Sequence, residues 1–195
     1  CGEHYGGSRV GGITAFMTQE PGVLGEGIVR FIPSDIDAAS LPRSFALIEP
    51  RSASAPVPDS WRVVPAFAAS SGGHEGLISV DPPTSLYGTG EVAGPLLRNG
   101  FVTEVWATQP FRTETDGTTV PNYDEQSKSL YQAHPWVLAL RADGSAFGVL
   151  ADTTYRIEID LRSGIRMRCR EPFPIIIVEG GSPQQVLERL AGLTG

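Results

Sequence analysis

Trp136-Val-Leu-Ala-Leu-Arg-Ala-Asp-Gly-Ser-Ala-Phe-Gly-Val-Leu150 consists of two apolar, β-prone runs, 136–140 and 145–150, joined by Arg141-Ala-Asp-Gly144. Asp-Gly readily supplies the positive φ that a tight β turn requires, so the stretch is predicted to be a hairpin. Downstream, residues 155–161, 165–170 and 174–178 continue the strand series, with Ser163-Gly164 as the next turn, which makes a meander. Upstream, short apolar runs at 13–17, 27–32, 44–48, 61–68, 77–80 and 101–106 are separated by Pro and Gly punctuation. Ser70-Ser-Gly-Gly-His-Glu-Gly76 is read as turn chemistry, and the Pro-rich stretch 51–59 as a surface connector.

The chain ends differently. Ser182-Pro-Gln-Gln185 starts a helix over 182–193: Ser182 caps, Pro183 fits the first helical position and Gln185 completes a capping box. Val186, Leu187, Leu190 and Leu193 form one apolar stripe, which must dock against something. A dozen or so short strands and one terminal helix indicate an all-β sandwich of two packed sheets, a single domain over 1–195 with a loose Gly-rich terminus at 1–10. Strand order is not readable, and no internal repeat is visible.

Composition narrows the function classes. With 195 residues, 41% hydrophobic and 19% charged, the chain can bury a sizeable core. A net charge of -7 argues against a phosphate-backbone partner, because nucleic-acid binding relies on clustered Lys and Arg. No apolar run is long enough to span a bilayer. Two cysteines, Cys1 and Cys169, lack the spacing of a zinc site, and no metal or other cofactor is implied. Cys1 has three readings: a chain boundary, the lipid-modified first residue of a processed bacterial lipoprotein, or half of a bridge to Cys169. Localisation stays open between cytoplasm and cell envelope. The cationic cluster Arg162, Arg166, Arg168 and Arg170 places its last three members on one strand face, solvated or, alternatively, an anion or partner site.

Several ordered blocks carry a family resemblance. Leu86-Tyr-Gly-Thr-Gly-Glu91, Gly94-Pro-Leu-Leu-Arg-Asn-Gly100, Val105-Trp106 and Ser129-Leu-Tyr-Gln-Ala-His-Pro-Trp136 come first. Asp143-Gly-Ser-Ala-Phe-Gly-Val-Leu-Ala-Asp-Thr-Thr154, Glu158-Ile-Asp-Leu161 and the closing Ser182-Pro-Gln-Gln-Val-Leu helix with Leu193-Thr-Gly195 follow. Over 86–195 the chain resembles the N-terminal domain of glycoside hydrolase family 31. The resemblance implies a galactose-mutarotase-like sandwich packed on a (β/α)₈ barrel, where two barrel aspartates perform retaining hydrolysis of α-linked sugars. Such chemistry needs two carboxyl groups about 5–5.5 Å apart. The family's nucleophile block, of the type Trp-x-Asp-Met-Asn-Glu, is absent from this sequence, so no catalytic residue is assigned and the chain alone is expected to be inactive.

The polar stretch 107–129 is read as a long loop, and loops of this length in compact domains are often functional. In the family a loop Asp in a Trp-Asn-Thr-Asp stretch contacts substrate; the matching residues here are Trp106-Ala-Thr-Gln109. Either Gln109 takes the contact, as an uncharged donor and acceptor, or the insertion relocates it to Asp116 or Asp124. Trp106 and Tyr131, flanking the loop, can stack on sugar rings, as can Tyr123, whereas Trp136 reads as a core residue. Glu114, Asp116, Asp124 and Glu125 read as solvated rather than as a catalytic pair. The implied partners are the barrel and an α-linked oligosaccharide. Two alternatives remain. One is a stand-alone mutarotase- or epimerase-like enzyme using His134 with Glu91 or Glu158 as acid and base; the other is an interaction module working through the arginine face. Outside those alternatives His134 reads as structural, Glu91 as a backbone anchor, and Gly88, Gly90 and Gly94 as turn residues.

Overall fold

The computed structural model describes residues 9–10, 13–16, 21–34, 36–37, 40–41, 44–45, 57–124, 127 and 129–195. Cys1, residues 46–48 of one expected strand, most of the 51–59 connector, Glu125 and Lys128 lie outside them. The described residues form two large antiparallel sheets and one helix. The seven-stranded sheet runs β1 (Arg9–Val10), β2 (Ile13–Phe16), β5 (Ala66–Ser70), β6 (Gly73–Ile78), β14 (Ile165–Cys169), β13 (Ile157–Asp160), β8 (Val102–Val105). The six-stranded sheet runs β3 (Gly22–Gly25), β4 (Ile28–Phe31), β15 (Ile175–Gly180), β12 (Ala146–Ala151), β11 (Trp136–Leu140), β7 (Ser85–Gly88). A third, two-stranded sheet consists of β9 (Phe111–Thr113) and β10 (Thr119–Pro121).

The two large sheets pack face to face over one core. Phe67, Ile78, Ile157, Ile159, Ile165 and Met167 from one sheet meet Phe31, Val137, Phe147, Val149, Ile175 and Ile177 from the other. β14 alternates as its sequence does: Ile165, Met167 and Cys169 are buried while Arg168 is exposed and Arg166 half-buried. Burial raises the Cys169 thiol pKa above its ordinary value. Sheets covered on one face show this period of two.

β12 and β15 behave differently. Every residue of β12, and Ile175 to Val178 of β15, is buried, because helix α1 (Pro183–Thr194) covers the outer face of their sheet. Val186 and Leu193 of the helix pack with Ile176, Val178, Leu150, Ala146 and Trp136 in a second apolar cluster. Continuous apolar runs are the expected signature of strands buried on both faces. The Ser182 hydroxyl accepts from Gln185 N–H, and Gln185 Oε1 accepts from Gly181 N–H at 2.8 Å, so the helix start is closed by side chains on both sides.

Two glycines mark where layers approach most closely. Gly148 in β12 lies under the Trp136 ring, and a methyl there would overlap it. Gly76 in β6 faces Ile175 across the sandwich in the same way. This corrects the reading of 70–76 as a turn: only Ser71-Gly72 turns, and β6 begins at Gly73. Gly73 and Gly76 serve close packing rather than chain reversal. Among the described residues no helix is long and apolar enough to cross a membrane.

Substituting Gly148→Ala is expected to destabilise the protein by about 1–3 kcal/mol, since the buried indole has no free volume into which to retreat. Chemical denaturation of the variant checks this, with a midpoint unchanged from the parent as the contrary result.

Candidate functional site

The site region is built on a turn in an unusual backbone conformation. Gly88, Thr89 and Gly90 all have positive φ, 100°, 71° and 80°. At Gly88 and Gly90 a Cβ would stand 2.7 Å from the carbonyl oxygens of Trp136 and Gln132, so only glycine fits. A β-branched residue in the left-handed region costs about 1–3 kcal/mol and persists only when its surroundings hold it. Thr89 N–H donates to Trp136 O at 2.7 Å, and its hydroxyl accepts from Thr103 at 3.2 Å. Thr103 in turn accepts from the Arg98 guanidinium at 3.1 Å.

Arg98 is 4% exposed and sits among neutral groups: Pro95 O accepts from it at 3.3 Å, and its guanidinium lies 4.7 Å from the Phe101 ring centroid. Burial lowers its pKa below the ordinary arginine value. Asn99 next to it accepts from Leu86 N–H and donates to Thr84 O, closing the free edge of β7. Glu91 completes the frame. Its backbone exchanges hydrogen bonds with Gln132 O and Leu130 N–H, and its carboxylate accepts from Gln132 N–H at 3.0 Å. Glu91 is thus an anchor for residues 130–132.

From that frame an arm projects. Thr108 N–H donates to Leu130 O, and the Ser129 hydroxyl donates to Trp106 O. Asn122 N–H donates to Pro110 O, β9 pairs with β10, and Glu114 N–H donates to Thr118 O just before the tip at Asp116-Gly117. The stretch expected as a structureless loop is therefore an antiparallel ribbon with its own ladder. Its strands are largely exposed and belong to neither large sheet, which is why no apolar periodicity announced them. Nine extended residues reach at most about 30 Å.

The expected contact residues separate along this arm. Trp106, Gln109, Asp124 and Tyr131 lie at its base, all exposed, Trp106 at 48% and Tyr131 at 64%. Gln109 O accepts from the Asn122 side chain at 3.4 Å. Asp124 takes part in a local turn with Ser127. Asp116 stands apart at the tip, where the Thr118 hydroxyl and N–H hold its carboxyl below the ordinary pKa. Phe111 and Tyr123 meet edge to face on the arm, ring centroids 6.1 Å apart. Tyr155 was not singled out from the sequence. It lines, with Trp106, Phe45 and Pro135, a cavity of about 210 Å³ beside the arm base. The pairing of Ile157 with Val105 puts it there, and that register is not local information.

Asp152 was also missed. It is fully buried, accepts from Phe45 N–H at 2.7 Å and Ser44 Oγ at 2.6 Å, and pairs with Arg30 at 3.0 Å. Each member of the proposed acid and base pairs has a place in the frame or on the surface. His134 is exposed, Glu91 is committed to Gln132, and Glu158 bonds Arg168 on the outer face of the seven-stranded sheet. Among the described residues no three His, Cys, Asp or Glu side chains converge as metal ligands.

Residues 68–160 match the family model of the glycosyl hydrolase 31 N-terminal galactose mutarotase-like domain. The recognised similarity is to the family 31 N-terminal domain, matched over slightly less than half of the chain. A family 31 alpha-glucosidase from Bacteroides thetaiotaomicron is 34% identical over 63% of this chain and 20% of its own, with a TM-score of 0.50. A family 31 dextranase from Flavobacterium johnsoniae aligns over 96% of this chain and 26% of its own at 15% identity, TM-score 0.63. A cycloalternan-degrading enzyme from Trueperella pyogenes aligns over 85% and 24% at 15% identity, TM-score 0.51. The last two likenesses speak to the fold alone. The chain thus spans a fifth to a quarter of the length of these solved relatives. No curated protein matches it.

Arg162, Arg166 and Arg168 of the arginine cluster are internally paired. Arg168 bridges Glu75 and Glu158, Arg166 approaches Glu75, and Arg162 grips Asp160 through two nitrogens. The Arg162 hydrogen bonds depress the Asp160 pKa from 3.8 to about 2, against a smaller opposing effect of burial. Because the folded pKa lies below the unfolded one, this stabilisation is complete above about pH 4 and is lost as the pH falls through 2. Its size is about 1–2 kcal/mol, allowing for the exposure of Arg162. Asp160→Asn is expected to lower Tm by a few degrees at pH 6, about 2–4 °C per kcal/mol, with the difference closing towards pH 2. Thermal melts across that range check it; a constant difference would reject the ion pair as its source.

Proposed function

We propose that this chain is the non-catalytic N-terminal domain of a retaining α-glycosidase of the family 31 type. In this reading it packs on a (β/α)₈ catalytic barrel and lends the arm 107–129 to the rim of the sugar pocket. The projecting arm carries the reading. An isolated two-stranded ribbon is marginally stable in water, so an arm that buries so little against its own sandwich gains stability from a neighbouring surface. Its base presents Trp106 and Tyr131 as exposed aromatic faces, and Gln109 and Asp124 as hydrogen-bonding groups, a set suited to the apolar CH faces and hydroxyls of a sugar. Of the three residues proposed to take the family's loop contact, Gln109 and Asp124 serve it at the arm base, and Asp116 at the tip meets the barrel wall or a more distant sugar unit. The relative named as an alpha-glucosidase supports an α-linked glucoside substrate for the whole protein.

The 195-residue chain alone is expected not to hydrolyse aryl α-glycosides above background, since hydrolysis needs a carboxylate pair that no part of this reading assigns to it. In the protein that joins the domain to its barrel, replacing 111–121 by a short Gly-Ser turn is expected to raise KM for an α-linked trisaccharide by about tenfold. A lost hydrogen bond to a charged partner or a lost stacking contact is worth about 1–2 kcal/mol. Steady-state kinetics on both proteins test this: turnover by the isolated chain, or an unchanged kcat/KM after arm replacement, overturns the reading.

A further inference from the structure

A broad cleft is built from segments other than the arm. About 820 Å³ in volume, it opens between the β3–β4 turn, the segment 58–62, the β11–β12 turn and the end of β15. A second cavity of about 440 Å³ adjoins it, and Arg62, Arg141 and Asp143 line both, forming a saddle between the two. The scaffold around the saddle is self-satisfied. Glu179 accepts from the N–H groups of Arg62 and Val63 at 3.2 and 3.0 Å, and Arg189 is spent on Glu179 O and Glu26.

The saddle residues keep spare hydrogen-bonding capacity. Among the described residues, neither Arg62 nor Arg141 has a carboxylate within ion-pair distance, though both charges act on Asp143, and the Arg62 guanidinium makes no hydrogen bond. Arg141 is held in place by stacking 4.6 Å over the Phe147 ring and one bond to Ser145 Oγ at 3.3 Å, which leaves other guanidinium donors free. Asp143 Oδ1 receives Ser145 N–H and O–H, leaving Oδ2 open. Trp61, fixed by its indole N–H to Val63 O at 2.6 Å, forms part of the wall.

Donor forks beside an open carboxylate oxygen suit a pair of neighbouring hydroxyls, which accept from the first and donate to the second. An indole wall suits the CH face of a ring. Asp143, Glu26 and the chain's net charge of -7 disfavour a polyanion. From this we infer that the cleft is a second, arm-independent binding site for a short neutral oligosaccharide lying across the Arg62–Arg141–Asp143 saddle against Trp61.

The test is a titration of the isotope-labelled 195-residue chain, followed by amide chemical shifts, with maltotriose, isomaltotriose and cellotriose in turn, each to about 10 mM. The expected result is saturable shifts at 58–62 and 141–145 with at least one of them. Arg62→Ala and Asp143→Asn are each expected to weaken that binding about tenfold, with Tm unchanged, and Gln109→Ala to leave it intact. Three results would overturn the site: no saturable shift with any of the three sugars, shifts confined to 106–131, or binding indifferent to both saddle variants. Stronger shifts with inorganic phosphate than with any sugar would overturn the ligand class. Shifts confined to 106–131 would instead support sugar contact at the arm, and the other results leave the role of the arm at a barrel untouched.

Discussion

Covering both faces of the six-stranded sheet is the constraint on which the rest of the architecture depends. One face is buried by the other sheet and the opposite face by α1, so β12 and β15 have no polar side to present. Their sequences accordingly lack alternation, and side-chain size replaces polarity as the variable. Gly148 makes room for the Trp136 ring, and at Gly180 a Cβ would stand 2.9 Å from Val186, which lets the helix come close to β15. Removing the helix would expose Ile176, Val178 and Trp136 together, an apolar patch of the kind that drives association. The seven-stranded sheet, with its Glu75, Glu158 and Arg168 ladder facing water, has no such need.

Polar groups buried at the edge of the sandwich then set where the chain leaves it. The Gly88-Thr89-Gly90 turn fixes Glu91, Glu91 fixes residues 130–132, and Leu130 fixes Thr108. The arm base is therefore tied through backbone hydrogen bonds to the rigid end of β7 and to Trp136. Arg98 and Asn99 reinforce the same corner from inside, each spending its hydrogen bonds on main-chain carbonyls, amides or threonine hydroxyls. A mobile or solvent-facing ribbon thus starts from a fixed direction, which a surface meant to meet a second body requires.

What could be read from the sequence is what local interactions decide. The 136–151 hairpin, the alternation of β14 and the Ser182 cap all follow from residues within a few positions of each other. The start of β6 was hidden because its glycines answer to distant neighbours, Gly73 to the backbone of Cys169 and Arg170 and Gly76 to Ile175, about a hundred positions away, rather than to a turn. β9 and β10 were hidden because strands that bury nothing leave no hydrophobic period. Grouping Gln109, Asp116 and Asp124 as alternatives for one contact was natural in a loop, but the ribbon holds the second of them several residues out from the others. The roles of Asp152, Arg98 and Tyr155 depend on sheet order, which composition and periodicity do not encode.

The ribbon also has a handed openness. Its hydrogen-bonded register, with Asn122 bonding Pro110 and Glu114 bonding Thr118, turns the backbone nitrogens of residues 119 and 121 outward along β10. Residue 121 is proline, so one of those two positions has no N–H to offer. An incoming strand could pair fully only beside β9, through Phe111 and Thr113. Copies of the arm therefore cannot grow on both flanks into a continuous cross-strand stack, and an exposed ribbon is kept from becoming a template for polymerisation.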